Sequence, residues 1–275
     1  GPKIALTSKE GLLRLTKFLK NRPDISGKIF TADGETAFQD LLKREVFNKK
    51  LKVLNKSINQ AKDIDIKSLK DSGVLEISED MSMQEVLEKA RTIDKALKIA
   101  RDPNAPIKKI RIFDFDDTLA TTESNVIAVL GDEKITLTAE EFADQGKSLI
   151  DGGYKLDFSE FNKVNKGKRG PLFSVAQKIN KARGNADLFV LTARAPEAQD
   201  AIYEFLKSEG LEFKKENIIG LGKSTGAAKA NFIIDKAAEG YNDFYFADDA
   251  IQNVAAVRDA LDVVDVKSQV QQAKI

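Results

Sequence analysis

Asp114 and Asp116 stand two residues apart, directly after the apolar run IRIF at 110–113. A second apolar run, LFVL at 188–191, leads into Thr192-Ala193-Arg194. A third, FYF at 244–246, leads into Ala247-Asp248-Asp249. A carboxylate can attack phosphorus and form an acyl phosphate that water later cleaves. Asp114 is placed for that attack. A second carboxylate at i+2 projects to the same side of extended backbone, so Asp116 fits the proton donor that then becomes a base. Thr192 offers a hydroxyl to the transferring phosphoryl group. Mg²⁺ takes oxygen ligands and binds through one or two carboxylates plus phosphate and water. Asp114 and Asp248 are the expected carboxylates, with the Asp116 carbonyl, Asp249 or Asn253 nearby. Charge gathering at such a centre calls for a lysine, and Lys229 is the choice, with Lys223 as its alternative.

Composition narrows the chemistry from the other side. The 275 residues contain no cysteine and no histidine. Disulfides, thiol nucleophiles, Ser-His-Asp catalysis and nearly all zinc hydrolase sites are excluded. Glycosidase-like carboxylate pairs, Mg²⁺ phosphotransfer and a few lysine chemistries remain. No apolar run approaches the roughly 18–20 residues of a membrane span, so no membrane partner is expected. No export leader is visible, which points to the cytoplasm. Gly1-Pro2 reads as a protease-cleavage scar.

The elements that must position these residues alternate after Pro103 and Pro106. Strands are expected at 109–115, 187–192, 218–219, 243–247 and 263–266. A hairpin over 126–138 turns at Gly131-Asp132. Helices are expected at 139–150, 172–182, 196–208, 227–238 and 252–261. Strands separated by helices imply parallel pairing, an α/β doubly wound sheet with its site outside the carboxyl ends of the strands. Residues 1–104 read differently. Helical spacing recurs at 4–20, 35–60 and 82–100, with a turn-rich stretch between Asn21 and Gly34; Ser82 and Glu85 make a capping-box pattern. This part holds 21 Lys/Arg against 16 Asp/Glu, a balance of +5, and 105–275 holds 23 against 27, a balance of −4. A small helical domain over 1–104 and an α/β domain over 105–275 follow. The stretch 43–56 carries six basic residues and one acid and could meet nucleic acid.

The run from Phe113 to Leu119 (FDFDDTL) resembles motif I of the haloacid dehalogenase superfamily, the DxDxT/V signature. Leu191-Thr192 resembles its motif II, Lys229 its motif III, and Asp248-Asp249 with Asn253 its motif IV, all in the family's order. The resemblance covers roughly 108–270. It implies a Mg²⁺-dependent phosphatase with Asp114 as nucleophile and Asp116 as general acid/base. It also implies a Rossmann-like sheet with motif I on the central strand, and a squiggle and flap over 118–138, with Thr118 at the entry. The segment from Phe246 to Lys274 also resembles domains embedded in very long phage proteins. A larger polypeptide or virion assembly, and host cytoplasm or virion, are the settings that likeness implies.

Seventy-eight positions separate Asp114 from Thr192. The hairpin and two helices use most of them, so a minimal cap and an open pocket are expected. An open pocket suits a bulky phosphorylated substrate, such as a nucleotide or nucleic-acid end. Lys168 and Arg169, together with Lys166, and also Thr118 and Arg194, are the expected contacts to substrate. Gly220-Leu-Gly-Lys-Ser-Thr225 looks like the end of a phosphate-binding P-loop, but the full pattern needs glycine at 217 and the chain has Asn217. Two other functions share these residues: a phosphotransferase using the same Asp114 intermediate, and a non-enzymatic interaction module on the same scaffold.

Overall fold

The computed structural model describes Leu13, Arg14, Lys17, Asn21, residues 32–58 and residues 65–275. The helix expected over 4–20 and the turns before Gly34 lie largely outside the described residues. Compactness divides the chain into two units: Gly1–Gln60 with Ile77–Arg91, and Ala61–Glu76 with Thr92–Ile275. In the smaller unit α1 runs over Ala32–Ile58, and Lys50 is buried with its ammonium donating to the Glu79 carbonyl. The Ser82 hydroxyl accepts from the Glu85 N–H and opens the helix Met83–Ile99, which becomes α3 in chain order after the short α2, Ile66–Asp71.

In the larger unit five strands form one parallel sheet. They are β1 (Lys109–Phe113), β7 (Leu188–Thr192), β8 (Ile218–Gly220), β9 (Asp243–Asp248) and β10 (Lys267–Gln272), in the order β10-β9-β1-β7-β8. Every residue of β7 and β9 is buried, as expected for parallel strands covered on both faces. The register sets Phe113 opposite both Val190 and Ala247. From β1 the chain fills one side of the sheet and then crosses back to the other, so β1 is the switch point where such sheets open a crevice.

Helices close both faces. Phe113, Val190, Tyr245 and Ala247 share a core with Ala176 of α5 (Phe173–Arg183) and with Ile202 and Leu206 of α6 (Gln199–Ser208). On the other face Phe189 meets Phe232 of α7 (Gly226–Ala238), ring centroids 5.9 Å apart, and α7 packs on α8 (Ile251–Val264). Truncating a core ring such as Phe113 is worth roughly 3–5 kcal/mol. The strand expected at 263–266 is a correction. Val263 and Val264 are buried and complete α8, Asp265 ends that helix at φ 58°, and the last strand is the polar run Lys267–Gln272. A helix buried along this stripe keeps its valines because packing outweighs their small helix penalty.

The insert between β1 and β7 is more than a hairpin. β3 (Val126–Leu130) pairs with β4 (Glu133–Leu137) as expected, and β5 (Lys155–Asp157) adds a third antiparallel strand. Between β4 and β5 lies α4 (Ala139–Asp151), opened by a full capping box of Thr138 and Glu141. Val126, Ala128, Leu137, Phe142 and Phe161 give this subdomain its own apolar core, with Phe142 edge-on to Phe158 and Phe161. A two-residue ladder, β2 (Ala120–Thr121) with β6 (Lys168–Arg169), ties its entry to its exit.

Candidate active site

Asp114 follows β1 directly, and its N–H donates to the Ala247 carbonyl (2.9 Å), fixing it beside the end of β9. Asp248 closes β9 and is fully buried. Four donor contacts hold its carboxylate: the Ala250 N–H, the Asn253 amide to both oxygens, and the Lys229 ammonium. Lys229 is the fourth residue of α7, whose start is capped by the Thr225 hydroxyl. Helix α7 reaches this position because Gly226 has no side chain; a Cβ there would sit 2.7 Å from the Gln252 carbonyl. Lys229 is 1% exposed and donates to Asp114 (2.9 Å) and Asp248 (2.5 Å) together. Lys223 is exposed to solvent.

Burial raises Asp114 well above the usual carboxylate range, and repulsion from Asp248 adds to it against the pull of Lys229. Burial likewise lifts Asp249 to about 6. Both carboxyls therefore hold a proton to higher pH than an exposed aspartate does. Burial alone would lower the Lys229 ammonium, but Asp114 and Asp248 override it and hold it above its ordinary value. Asp114, Asp248 and Asp249 each offer an oxygen within 4.8 Å of the others, a geometry that could hold a metal ion. An all-oxygen set of this kind suits a hard divalent cation. Asn253, 4% exposed, points a side-chain oxygen without a partner among the described residues. A water on such a cation would supply the donor that this oxygen lacks.

These carboxylates, with Asp116, Asp117, Thr192 and Lys229, line one cavity. The Thr192 hydroxyl accepts from the Arg194 N–H (3.1 Å), which leaves its own proton free to donate. The other walls are Ala139, Phe142 and Ala143 of α4, with Phe161, Ala193 and Ala250. The volume is about 20 Å³, room for about one water. Where the length of the insert suggested an open pocket, a helix lies over it. That helix is anchored by the subdomain core, whose third strand comes from residues 155–157.

Arg194 does not line this cavity. It is fully buried, and its Nε and one terminal nitrogen grip both oxygens of Asp116 (2.7 and 2.6 Å). Its other nitrogen donates to the carbonyls of Phe161 (2.9 Å) and Lys163 (2.7 Å), and its plane lies near the rings of Phe161 and Phe115. Thr118 is also buried away from the cavity, its hydroxyl without a partner among the described residues. Lys168 and Arg169 sit on β6, where Arg169 is bound to Glu209 and stacks over Phe173. Lys166 pairs with Glu123. The expected phosphate contacts are therefore dispersed, and the six residues Asp114, Asp116, Thr192, Lys229, Asp248 and Asp249 converge.

Asp117 was missed. It lines the cavity in a left-handed conformation, φ 60°, and burial with Asp116 and Glu140 nearby raises it to about 6. Its place in an acid-rich run was the only signal available, because backbone handedness is not written in residue type for aspartate. On α1 the basic stretch presents Lys43, Arg44, Lys49, Lys52 and Lys56 to solvent. Among the described residues no helix is long and apolar enough to cross a membrane. Comparison with models of protein families, with curated proteins and with solved structures finds no match to this chain.

Proposed function

We propose that the larger unit is a phosphomonoester hydrolase of the haloacid dehalogenase type, with Asp114 as its nucleophile. One observation carries the reading: neighbouring parallel strands end in Asp114 and Asp248, and a single buried lysine bridges the two. A structural ion pair needs one carboxylate; a lysine between two, beside a third, leaves a negative excess that a cation would balance. Asp114, Asp248 and Asp249, with the Asp116 carbonyl, would hold Mg²⁺. The cation would supply charge neutralisation for a phosphate dianion approaching these carboxylates.

The residues then divide the work. Asp114, ionised as its proton passes to solvent, attacks phosphorus, forming an acyl phosphate as the ester P–O bond breaks. Asp116, protonated on an oxygen that Arg194 has released, gives that proton to the leaving oxygen. Water next attacks the same phosphorus, gives a proton back to Asp116, and releases inorganic phosphate with Asp114 restored. Lys229 offsets the growing charge on the phosphoryl oxygens, and the Thr192 hydroxyl donates to one of them. Arg194 holds Asp116 in place through both carboxylate oxygens.

The walls argue for a small substrate rather than the bulky nucleic-acid end that an open pocket suggested. Lys229 is the only cationic side chain among the described lining residues, and it is bound to two aspartates. Nothing there would grip further phosphates. The test is hydrolysis of p-nitrophenyl phosphate with and without Mg²⁺. Asp114→Asn is expected to lower turnover by at least about a thousandfold, and a chelator to do the same to the unmodified chain. Activity that survives Asp114→Asn would end this assignment.

A further inference from the structure

The P-loop-like run Gly220 to Thr225 has a setting of its own. Ser224 and Thr225, with the first residues of α7, line a second cavity of about 290 Å³. That is at the lower edge of the roughly 300–1,000 Å³ typical of small-molecule sites. The Ser224 side chain lines it, and the residue is 8% exposed. Its hydroxyl has no hydrogen-bond partner among the described residues, and neither do the N–H groups of Gly226 and Ala227. A helix start with two free amides, beside an unpaired hydroxyl, carries partial positive charge.

The remaining walls carry three carboxylates and one ammonium. Asp71, Glu76, Asp144 and Lys147 line the same cavity. Asp71 is paired with Lys67 (2.7 Å), whereas Glu76 and Asp144 have no ion-pair partner among the described residues. A dianion such as phosphate would meet two unpaired carboxylates. A bare amine would leave the Ser224 hydroxyl and the helix start unused. We infer that this cavity binds a small zwitterion the size of an amino acid. Its carboxylate lies on Ser224 and the α7 amides, and its ammonium lies toward Glu76 and Asp144.

The cavity also joins two parts of the larger unit. Asp144 and Lys147 belong to α4, the helix that roofs the catalytic cavity, whereas Ser224, Gly226 and Ala227 belong to the sheet domain. The two approach closely at Gly146, where a Cβ would stand 3.0 Å from the Ser224 hydroxyl. Ala143 lines both cavities, and its carbonyl accepts from Gln252 (2.7 Å) in the wall between them. A ligand held from both sides would tie α4 to the start of α7. The site stands whether or not Asp114 accepts a phosphoryl group.

The experiment is calorimetric titration of the full chain, without metal, with glycine, β-alanine and 4-aminobutyrate, and with acetate and butylammonium as half-ligands. At least one zwitterion should bind, more tightly than either half-ligand, and slow hydrogen exchange in α4. Ser224→Ala should weaken it about three- to tenfold, and Asp144→Asn, at an exposed position, by about tenfold or more. Asp114→Asn should leave binding unchanged. No binding by any of the three, acetate binding as well as they do, or loss of binding in Asp114→Asn would each overturn the assignment.

Discussion

Below the acid-lined cavity lie five carboxylates and one ammonium, most of them at the ends of buried strands; above it lie Ala139, Phe142, Ala143 and Phe161, with no charge among them. In the floor, Asp248 is fixed by the sheet register and the Asn253 amide, Asp114 by its N–H on the Ala247 carbonyl, and Asp116 by Arg194. The roof is fixed by its own apolar core and by two polar ties to the sheet domain, from Arg194 to the Phe161 and Lys163 carbonyls and from Gln252 to the Ala143 carbonyl. Chemistry and access are therefore assigned to different kinds of force. Electrostatics sets the floor, and packing sets the roof.

Lys229→Met tests the floor most severely. It leaves Asp114 and Asp248 facing each other without their ammonium, a loss of about 3–5 kcal/mol. Urea unfolding in chelator should register that loss, and Mg²⁺ should return a large part of it by taking the place of the ammonium between the carboxylates. Equal losses in both conditions would mean that the floor is an ion-pair network with no affinity for a cation.

Arg194→Ala cuts the member that touches both regions. Loss of the grip on Asp116 is expected to lower turnover of an alkyl phosphomonoester by about a hundredfold, since small misplacements cost that much. An aryl phosphomonoester leaves more easily and needs less help from Asp116, so its turnover should fall less. If both fall alike, Arg194 serves the roof alone.

A pH series separates the regions again, because the cavity-lining carboxyls that are raised all lie in the floor. Asp249 stands at about 6 and Asp114 is also raised, both first through burial. An acid raised on folding binds its proton more tightly in the native state. Its stabilising contribution is complete below the unfolded value near 4 and is lost as pH climbs through about 6. The metal-free chain should lose stability across that window, Asp249→Asn should lose less, and saturating Mg²⁺ should flatten the curve. A midpoint that is flat in the metal-free chain would contradict the raised carboxyls.

Thr138→Ala is the mildest change. Removing the cap of α4 is worth about 1 kcal/mol, and it should appear as faster hydrogen exchange in α4 with β1 and β9 unaffected. Exchange that quickens across the sheet as well would show that roof and floor unfold as one.

The floor was legible in the sequence because its strands are short apolar runs that stop abruptly at acids, and a buried parallel strand has no other way to look. Lys229 could be chosen over Lys223 only by its place one turn into a helix. The roof was half legible: the β3–β4 hairpin announced itself at Gly131-Asp132, whereas β5 pairs Lys155–Asp157 with residues nearly thirty positions earlier, and nothing local predicts that partner. Arg194 was read as a substrate contact for the same reason, since its carboxylate lies 78 residues away. The last strand was misplaced because Val263 and Val264 look like strand residues and KSQVQQ does not. Their burial on α8 and the left-handed turn at Asp265 reverse the assignment.

That polar strand has a mechanical consequence. β10 lies at the edge of the sheet, and the register of a strand with so little apolar pattern is not set by a buried face. Instead the Tyr245 hydroxyl donates to Gln271, the Gln272 amide donates to the Asp249 carbonyl, and the Ala273 N–H donates to the Asp248 carbonyl. The trailing end of the chain is thus fastened to the backbone of two acids that face the cavity. A load applied there, by a fused domain or an optical trap, would travel through two hydrogen bonds directly to the loop that carries Asp248 and Asp249.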